Sequence, residues 1–186
     1  MIDDDRIRCA WAESTPDYRA YHDVEWGVVL RGDDALFERV SLEAFQSGLS
    51  WLTILRKRDA FRSAFSQFRI AAVAAFDDDS DVARLMADAG IVRNRAKIRA
   101  TIGNARAALD VPNGLSDLLW SFAPDLTRPR PATLSDVPAT SMESMAMAKE
   151  LKRRGFSFVG PTTAYALMQA TGMVDDHVAD CWRAGR

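Results

Sequence analysis

The reading turns on Ala146 to Trp182, AMAKELKRRGFSFVGPTTAYALMQATGMVDDHVADCW. A helical pattern runs to Lys152–Arg154 and is closed by Gly155, with basic side chains at the helix end that the macrodipole favours for cations. Phe156-Ser157-Phe158-Val159-Gly160 makes a short apolar turn. Pro161 then stands where a first helical turn tolerates proline, and a new apolar period carries Thr162–Thr171 to a stop at Gly172. The expectation is two helices joined by a tight hairpin over about 146–172. His177-x3-Cys181 follows, a spacing that lets both side chains point at one ion.

Upstream, the apolar residues keep the same period. Leu36, Phe37, Val40, Leu42 and Phe45 predict a helix over 34–47, after Gly32 and an N-capping Asp33–Asp34. Gly48 interrupts, and Ser50 is placed to cap a second helix led by Trp51. Helical periods follow over 60–68, 70–76 and up to Met86, the last capped by the acidic 77–81 run. The longest clean helix is 93–109, with Ile98, Ile102, Ala105 and Leu109 inward and Arg95, Lys97, Arg99 and Arg106 outward. A short helix over 116–122 and a Pro-rich connection, 124–138, complete the chain, and residues 9–23 read as loop-rich. No strand pattern and no repeat appears, so the fold class is all-α.

With 186 residues, 48% hydrophobic and 27% charged, the chain suits one globular unit with a sizeable core. A net charge of −2 excludes a bulk basic protein, yet base gathers at 56–58, 93–99 and 149–154 while acid gathers at 3–5 and 77–81. Such segregation leaves room for a local nucleic-acid face. No apolar run approaches a membrane span and no secretory signal is visible, so a cytoplasmic protein without membrane attachment is expected, as a monomer.

The chain holds two Cys and two His in all: Cys9-x12-His22 near one end and His177-x3-Cys181 near the other. A reducing compartment disfavours a disulfide, and two thiolates with two imidazoles form the donor set that tetrahedral Zn2+ prefers. Four protein ligands leave no open position, so one such zinc would be structural and would tie the chain ends together. The competing reading is two surface histidines and two ordinary buried thiols.

Glu43 falls among Leu42, Phe45 and Leu49, where a carboxylate is costly unless it has a donor to hold; otherwise it faces solvent or caps a neighbouring helix. Trp11, Tyr21, Trp26 and Trp51 crowd into the first third of the chain. Packing accounts for most tryptophans, whereas a stacking cleft accounts for polar-tipped rings gathered near one glutamate, and such a cleft suits a flat, electron-poor or cationic heterocycle. In the hairpin, the backbone N–H groups of Gly160, Thr162 and Thr163 offer an anion site, with Lys149, Lys152, Arg153 and Arg154 beside it.

The chain resembles the DNA-3-methyladenine glycosylase I family of the helix-hairpin-helix glycosylases, from Arg8 to Cys181. The resemblance rests on Arg8-Cys9-x-Trp11, Tyr21-His22-Asp23-x-Glu25-Trp26-Gly27, Leu42-Glu43-x-x-Gln46-x-Gly48-Leu49-Ser50-Trp51, Ala89-Gly90-Ile91, Ile102-Gly103-Asn104-Ala105, Leu119-Trp120-Ser121-Phe122, Arg154-Gly155-Phe156-x-Phe158-Val159-Gly160 and Asp176-His177. It implies a glycosylase fold whose chain ends, over 1–186, are joined by zinc on Cys9, His22, His177 and Cys181. It further implies a base-reading carboxylate at Glu43, pocket rings at Tyr21 and Trp51 with Trp26 at the edge, and DNA-penetrating residues at Gln46 and Leu49. Phe158 stands where many other hairpin glycosylases carry the first glycine of their turn.

The implied activity is hydrolysis of the N-glycosidic bond of 3-methyladenine in double-stranded alkylated DNA, on a base flipped out of the helix. N3 methylation leaves adenine cationic and ready to depart. Pro161-Thr162-Thr163 stands where nicking relatives place a lysine nucleophile, so lyase chemistry is not expected. Asp176 is expected to orient His177 rather than to activate water. The alternatives are a non-catalytic hairpin module that binds DNA, for which Glu43 would have no use, and a zinc hydrolase, which would need an open ligand position.

Overall fold

The computed structural model describes residues 5–125 and 129–185. Asp3 and Asp4 of the N-terminal acidic group, and residues 126–128 of the Pro-rich connection, lie outside them. Among the described residues every regular element is helical: α1 (Pro16–Val24), α2 (Asp33–Gln46), α3 (Trp51–Ala64), α4 (Ile70–Ala74), α5 (Ser80–Ala87), α6 (Arg95–Leu109), α7 (Gly114–Trp120), α8 (Met142–Arg153) and α9 (Pro161–Ala170), with short 3-10 turns between some of them.

Local chemistry sets the boundaries. Ser50 accepts the Thr53 N–H, Asn94 that of Lys97, and Ser141 that of Ser144, each cap contributing about 1 kcal/mol. α8 ends as expected: Gly155 adopts φ +94° and the Phe156 N–H donates to the Leu151 carbonyl (3.0 Å). The fully buried Leu36, Phe37, Val40 and Phe45 of α2 join Ile54, Phe61, Phe65, Ile98, Ile102, Leu151, Leu167 and Met168 in one continuous core. A smaller cluster of Cys9, Val178 and Cys181 sits under Trp11, Trp26 and Trp182 at the joined chain ends. No helix among the described residues is long and apolar enough to cross a membrane.

Four local expectations are corrected. The stretch read as loop contains a 3-10 turn (Ala10–Ser14) and α1. Thr15 caps the Tyr18 N–H and Pro16 takes the first helical position, so two start signals outweigh the proline's reputation as a breaker. The helical period over 60–68 stops at Ala64, because Ser66, Gln67 and Phe68 all take positive φ and turn the chain so that Phe68 enters the core. Leu109, the last residue of α6, is 58% exposed. Lys97, expected outward, is 7% exposed and donates to the carbonyls of Phe45 (2.8 Å) and Ser47 (2.6 Å).

Candidate active site and metal centre

α1, α2 and α3 bring their rings and carboxylate to one cleft of about 630 Å3, closed on the far side by the C-terminal half of α9 and by Asp176. Tyr21, Trp26, Glu43, Gln46 and Trp51 all line it, as do Trp11, Tyr18 and Gln169. Glu43 lies among these rings rather than in bulk water. The Tyr21 and Trp51 ring centroids lie 5.5 Å apart at 46°. Trp26 packs edge-on to Trp11 (5.2 Å) and to His177 (4.6 Å), so it forms the wall between the cleft and the Cys/His cluster. The Trp51 indole N–H is buried without a hydrogen-bond partner among the described residues.

Glu43 is 5% exposed. Burial pushes its carboxyl up to about 7, and only the Arg39 guanidinium, one helical turn back, opposes this. Arg39 is itself committed elsewhere. Its Nη1 donates to the Tyr21 hydroxyl (3.0 Å), its Nη2 pairs with Glu25 (3.7 Å), and its guanidinium lies 5.4 Å from both the Tyr21 and Trp51 rings. Glu25 is also gripped by Arg58 (Nη2–Oε1 2.8 Å). With its hydroxyl oxygen accepting from Arg39, Tyr21 turns its own proton away from the guanidinium, and burial raises its pKa. The cleft thus contains cation-attracting rings and a reluctant anion, with Glu25 shared between the guanidinium groups of Arg39 and Arg58.

Asp176 faces the cleft, and its Oδ2 accepts from the Tyr165 hydroxyl (2.7 Å) and the Gln169 amide (2.8 Å), both on α9, while the His177 backbone N–H donates to the neighbouring Asp175 (3.2 Å). Tyr18 and Gln169 were missed altogether. Tyr18 and Tyr21 share a helix face at i, i+3, a signal lost when their stretch is read as loop. The Tyr18 hydroxyl accepts the Leu52 N–H (2.9 Å) and docks α1 on the start of α3.

Leu49 is 41% exposed in the turn between Gln46 and Trp51; Gly48 there takes φ +82° and the Leu49 N–H donates to the Gln46 carbonyl (2.6 Å). Gly160, Thr162 and Thr163 lie at the exposed N-terminus of α9, whose other end lines the cleft. At 1.5 Å per residue these two ends stand roughly 15 Å apart. The hairpin turn is held by Asn104 of α6, and Phe158 sits at its tip with φ +59°, 43% exposed.

Cys9, His22, His177 and Cys181 form one buried group whose ligand atoms all lie within 4.8 Å of one another. Cys181 Sγ is 3.4 Å from His22 Nε2 and 3.6 Å from His177 Nδ1, and Cys9 Sγ is 3.8 Å from His177 Nδ1. Bonds of about 2.0–2.3 Å in a tetrahedron give edges of roughly 3.5 Å, so the four atoms fit a Zn2+-sized ion. The remaining nitrogen of His22 is engaged as a metal-bound histidine requires, Nδ1 meeting Asp23 (2.9 Å). Asp23 resists burial and is held ionised, down to about 2, by Arg8, His22 and Trp182. Gly27 is required here, because a Cβ would stand 2.8 Å from His177 Nε2. The group can hold a metal ion.

A helical body that exposes the N-terminal N–H groups of one helix and, at that helix's other end, a ring-lined cleft holding the buried Glu43 has the architecture of a base-excising DNA glycosylase. The chain belongs to the methyladenine glycosylase family, which it matches over residues 11–184. It is 49% identical to DNA-3-methyladenine glycosylase 1 of Escherichia coli K12 over 94% of this chain and 95% of that protein. It is 42% identical to the DNA-3-methyladenine glycosylase of Haemophilus influenzae, over 94% and 96% of the two chains. Among solved structures, a 3-methyladenine DNA glycosylase I superposes with a TM-score of 0.91 at 43% identity, covering 96% of this chain and all of the other. The Staphylococcus aureus enzyme, solved to explain 3-methyladenine recognition, gives 0.91 at 34% identity over 96% and 97% of the chains.

Proposed function

We propose that this protein is a monofunctional DNA glycosylase that hydrolyses the N-glycosidic bond of 3-methyladenine in alkylated DNA. The observation that carries this reading is Glu43, buried and ionisable near neutrality inside a cleft of aromatic rings. Unstacking the nucleotide costs roughly a few kcal/mol, which phosphate contacts at Gly160, Thr162 and Thr163 and insertion of Gln46 and Leu49 offset. Tyr21, Trp26 and Trp51 stack on or border the cationic purine, and Glu43 accepts from its N–H groups. The C1′–N9 bond breaks with its electron pair going to the base, which leaves neutral. Water bonds to C1′, its proton passes to solvent, and an abasic site remains.

No lysine follows the hairpin turn, so no Schiff base forms. A zinc ion on Cys9, His22, His177 and Cys181 supplies no chemistry to the reaction; these residues fasten the first and last segments together beside Trp26 and so hold that wall of the cleft. The whole of 1–186 is read as one glycosylase unit, a monomer that acts on DNA in the cytoplasm.

The test is release of bases from methylated duplex DNA, identified by chromatography. Free 3-methyladenine is expected, with no borohydride-trapped adduct. DNA binding without base release would instead make the protein a binding module, and a trapped adduct would reveal an amine nucleophile.

A further inference from the structure

Lys97 has no part in the cleft, and its burial calls for an account. It sits on α6 beneath the junction of α2 and α3 and sends its ammonium to the two carbonyls that flank Gln46, those of Phe45 (2.8 Å) and Ser47 (2.6 Å). A cation is favoured at a helix C-terminus by the dipole and by the unpaired carbonyls there. This one does more than cap. It grips the backbone on both sides of one residue whose side chain lines the cleft, directly before the Gly48 turn that exposes Leu49. Its own place is fixed, since Asn94 caps the Lys97 N–H (3.2 Å) and Ile98 beside it is fully buried.

We propose that Lys97 is a positioning residue that braces the Gln46–Leu49 turn while it displaces the nucleotide from the duplex. This rests on the reading that Gln46 and Leu49 enter DNA. Residues that push into a base stack receive an equal reaction from it. A turn containing glycine at positive φ has little stiffness of its own, and no other side chain among the described residues donates to the Phe45 or Ser47 carbonyl. Without the ammonium, the wedge yields rather than the stack. The pocket itself, built from Glu43 and the rings, does not depend on the brace.

The experiment compares wild type, Lys97→Met, Lys97→Arg, Gln46→Ala and Leu49→Ala on duplex DNA carrying one 3-methyladenine, either paired with thymine or opposite an abasic site, where less stacking resists extrusion. Met keeps the stem and removes only the amine. Lys97→Met is expected to lower kcat at least tenfold on the paired lesion and less than threefold on the unpaired one, with affinity for free 3-methyladenine unchanged and partial rescue by Lys97→Arg. Equal losses on both substrates, or weakened free-base binding, would reduce Lys97 to a general stabiliser and overturn the proposal. If Lys97→Met does not fold, Lys97→Gln, which keeps one donor, is read by the same paired-to-unpaired ratio. If Gln46→Ala and Leu49→Ala leave the paired lesion unaffected, the wedge reading itself fails; if they impair it and Lys97→Met does not, only the brace fails.

Discussion

Asn104 and Ser157 exchange two hydrogen bonds across the molecule: the Asn104 Nδ2 donates to the Ser157 carbonyl (3.0 Å), and its Oδ1 accepts the Ser157 N–H (2.8 Å). A buried side chain on α6 thereby completes the backbone of the hairpin between α8 and α9, where neither helix can pair it. Asn104→Asp turns the donor into an acceptor facing a carbonyl. It is expected to cost about 1–3 kcal/mol, the usual penalty for an unmet buried polar group. Thermal melts should show the loss, and DNA retention should weaken while affinity for free 3-methyladenine stays the same. Equal weakening of both would mean that the clamp supports the whole fold rather than the hairpin.

Glu43 makes a stability prediction opposite in sign to its role in excision. Its folded pKa, about 7, is raised above the ordinary value of 4.5. As pH rises through that window, the unfolded chain releases the proton first while the folded protein keeps it, so stability falls by about 3 kcal/mol and stays reduced above pH 7. Glu43→Gln should therefore abolish excision yet melt higher than wild type at pH 8. The gap should close towards pH 4.5. A melting difference that does not change with pH would show that the carboxyl carries no charging cost.

How far the sequence was legible follows from the range of each signal. The hairpin was readable because Gly155, Pro161 and Gly172 act within a turn of their own position. The Cys/His set was readable because the side chains are rare and their chemistry narrow. Lys97 was misread because a basic residue on an amphipathic helix usually faces water, and its carbonyl acceptors belong to another helix more than forty residues away. Asp176 was read beside His177 by adjacency in sequence, and its hydrogen bonds to Tyr165 and Gln169 on α9 carried no local signal. Tyr18 was lost with α1, whose short length leaves its period weak beside a proline. The caps at Ser50 and Asn94 act locally, whereas Asp33 and Asp34, read as an N-cap, stand inside α2 behind Gly32 and accept the Ser116 and Ile70 N–H groups of other elements.

The Cys9–His22–His177–Cys181 group predicts about one zinc per chain by elemental analysis. Cys181→Ser should lower the melting temperature by about 10 °C, the shift that a loss of about 3 kcal/mol gives at this size. Base release per folded molecule should change little, because no step of the reaction passes through the metal. Retention of wild-type melting after metal removal would leave the chain ends joined by packing around Trp11, Trp26 and Trp182 alone.

Arg39 sets the pH at which Glu43 becomes available. It is the one group that draws the Glu43 carboxyl downward, and it does so from a position held by Glu25, the Tyr21 hydroxyl and two rings. If the ionised carboxylate is the form that grips a cationic base, wild-type kcat/KM should fall as pH drops below about 7, since that profile reports the free enzyme. Arg39→Met removes the opposing charge, so Glu43 should hold its proton to higher pH and the acid limb should move alkaline. Arg39→Lys, which keeps the charge but cannot bridge Glu25 and Tyr21 together, should restore the limb while leaving kcat reduced, separating the electrostatic duty of Arg39 from its hold on the ring. An unchanged limb in Arg39→Met, with excision otherwise intact, would mean that Glu43 is not the group whose ionisation governs the reaction.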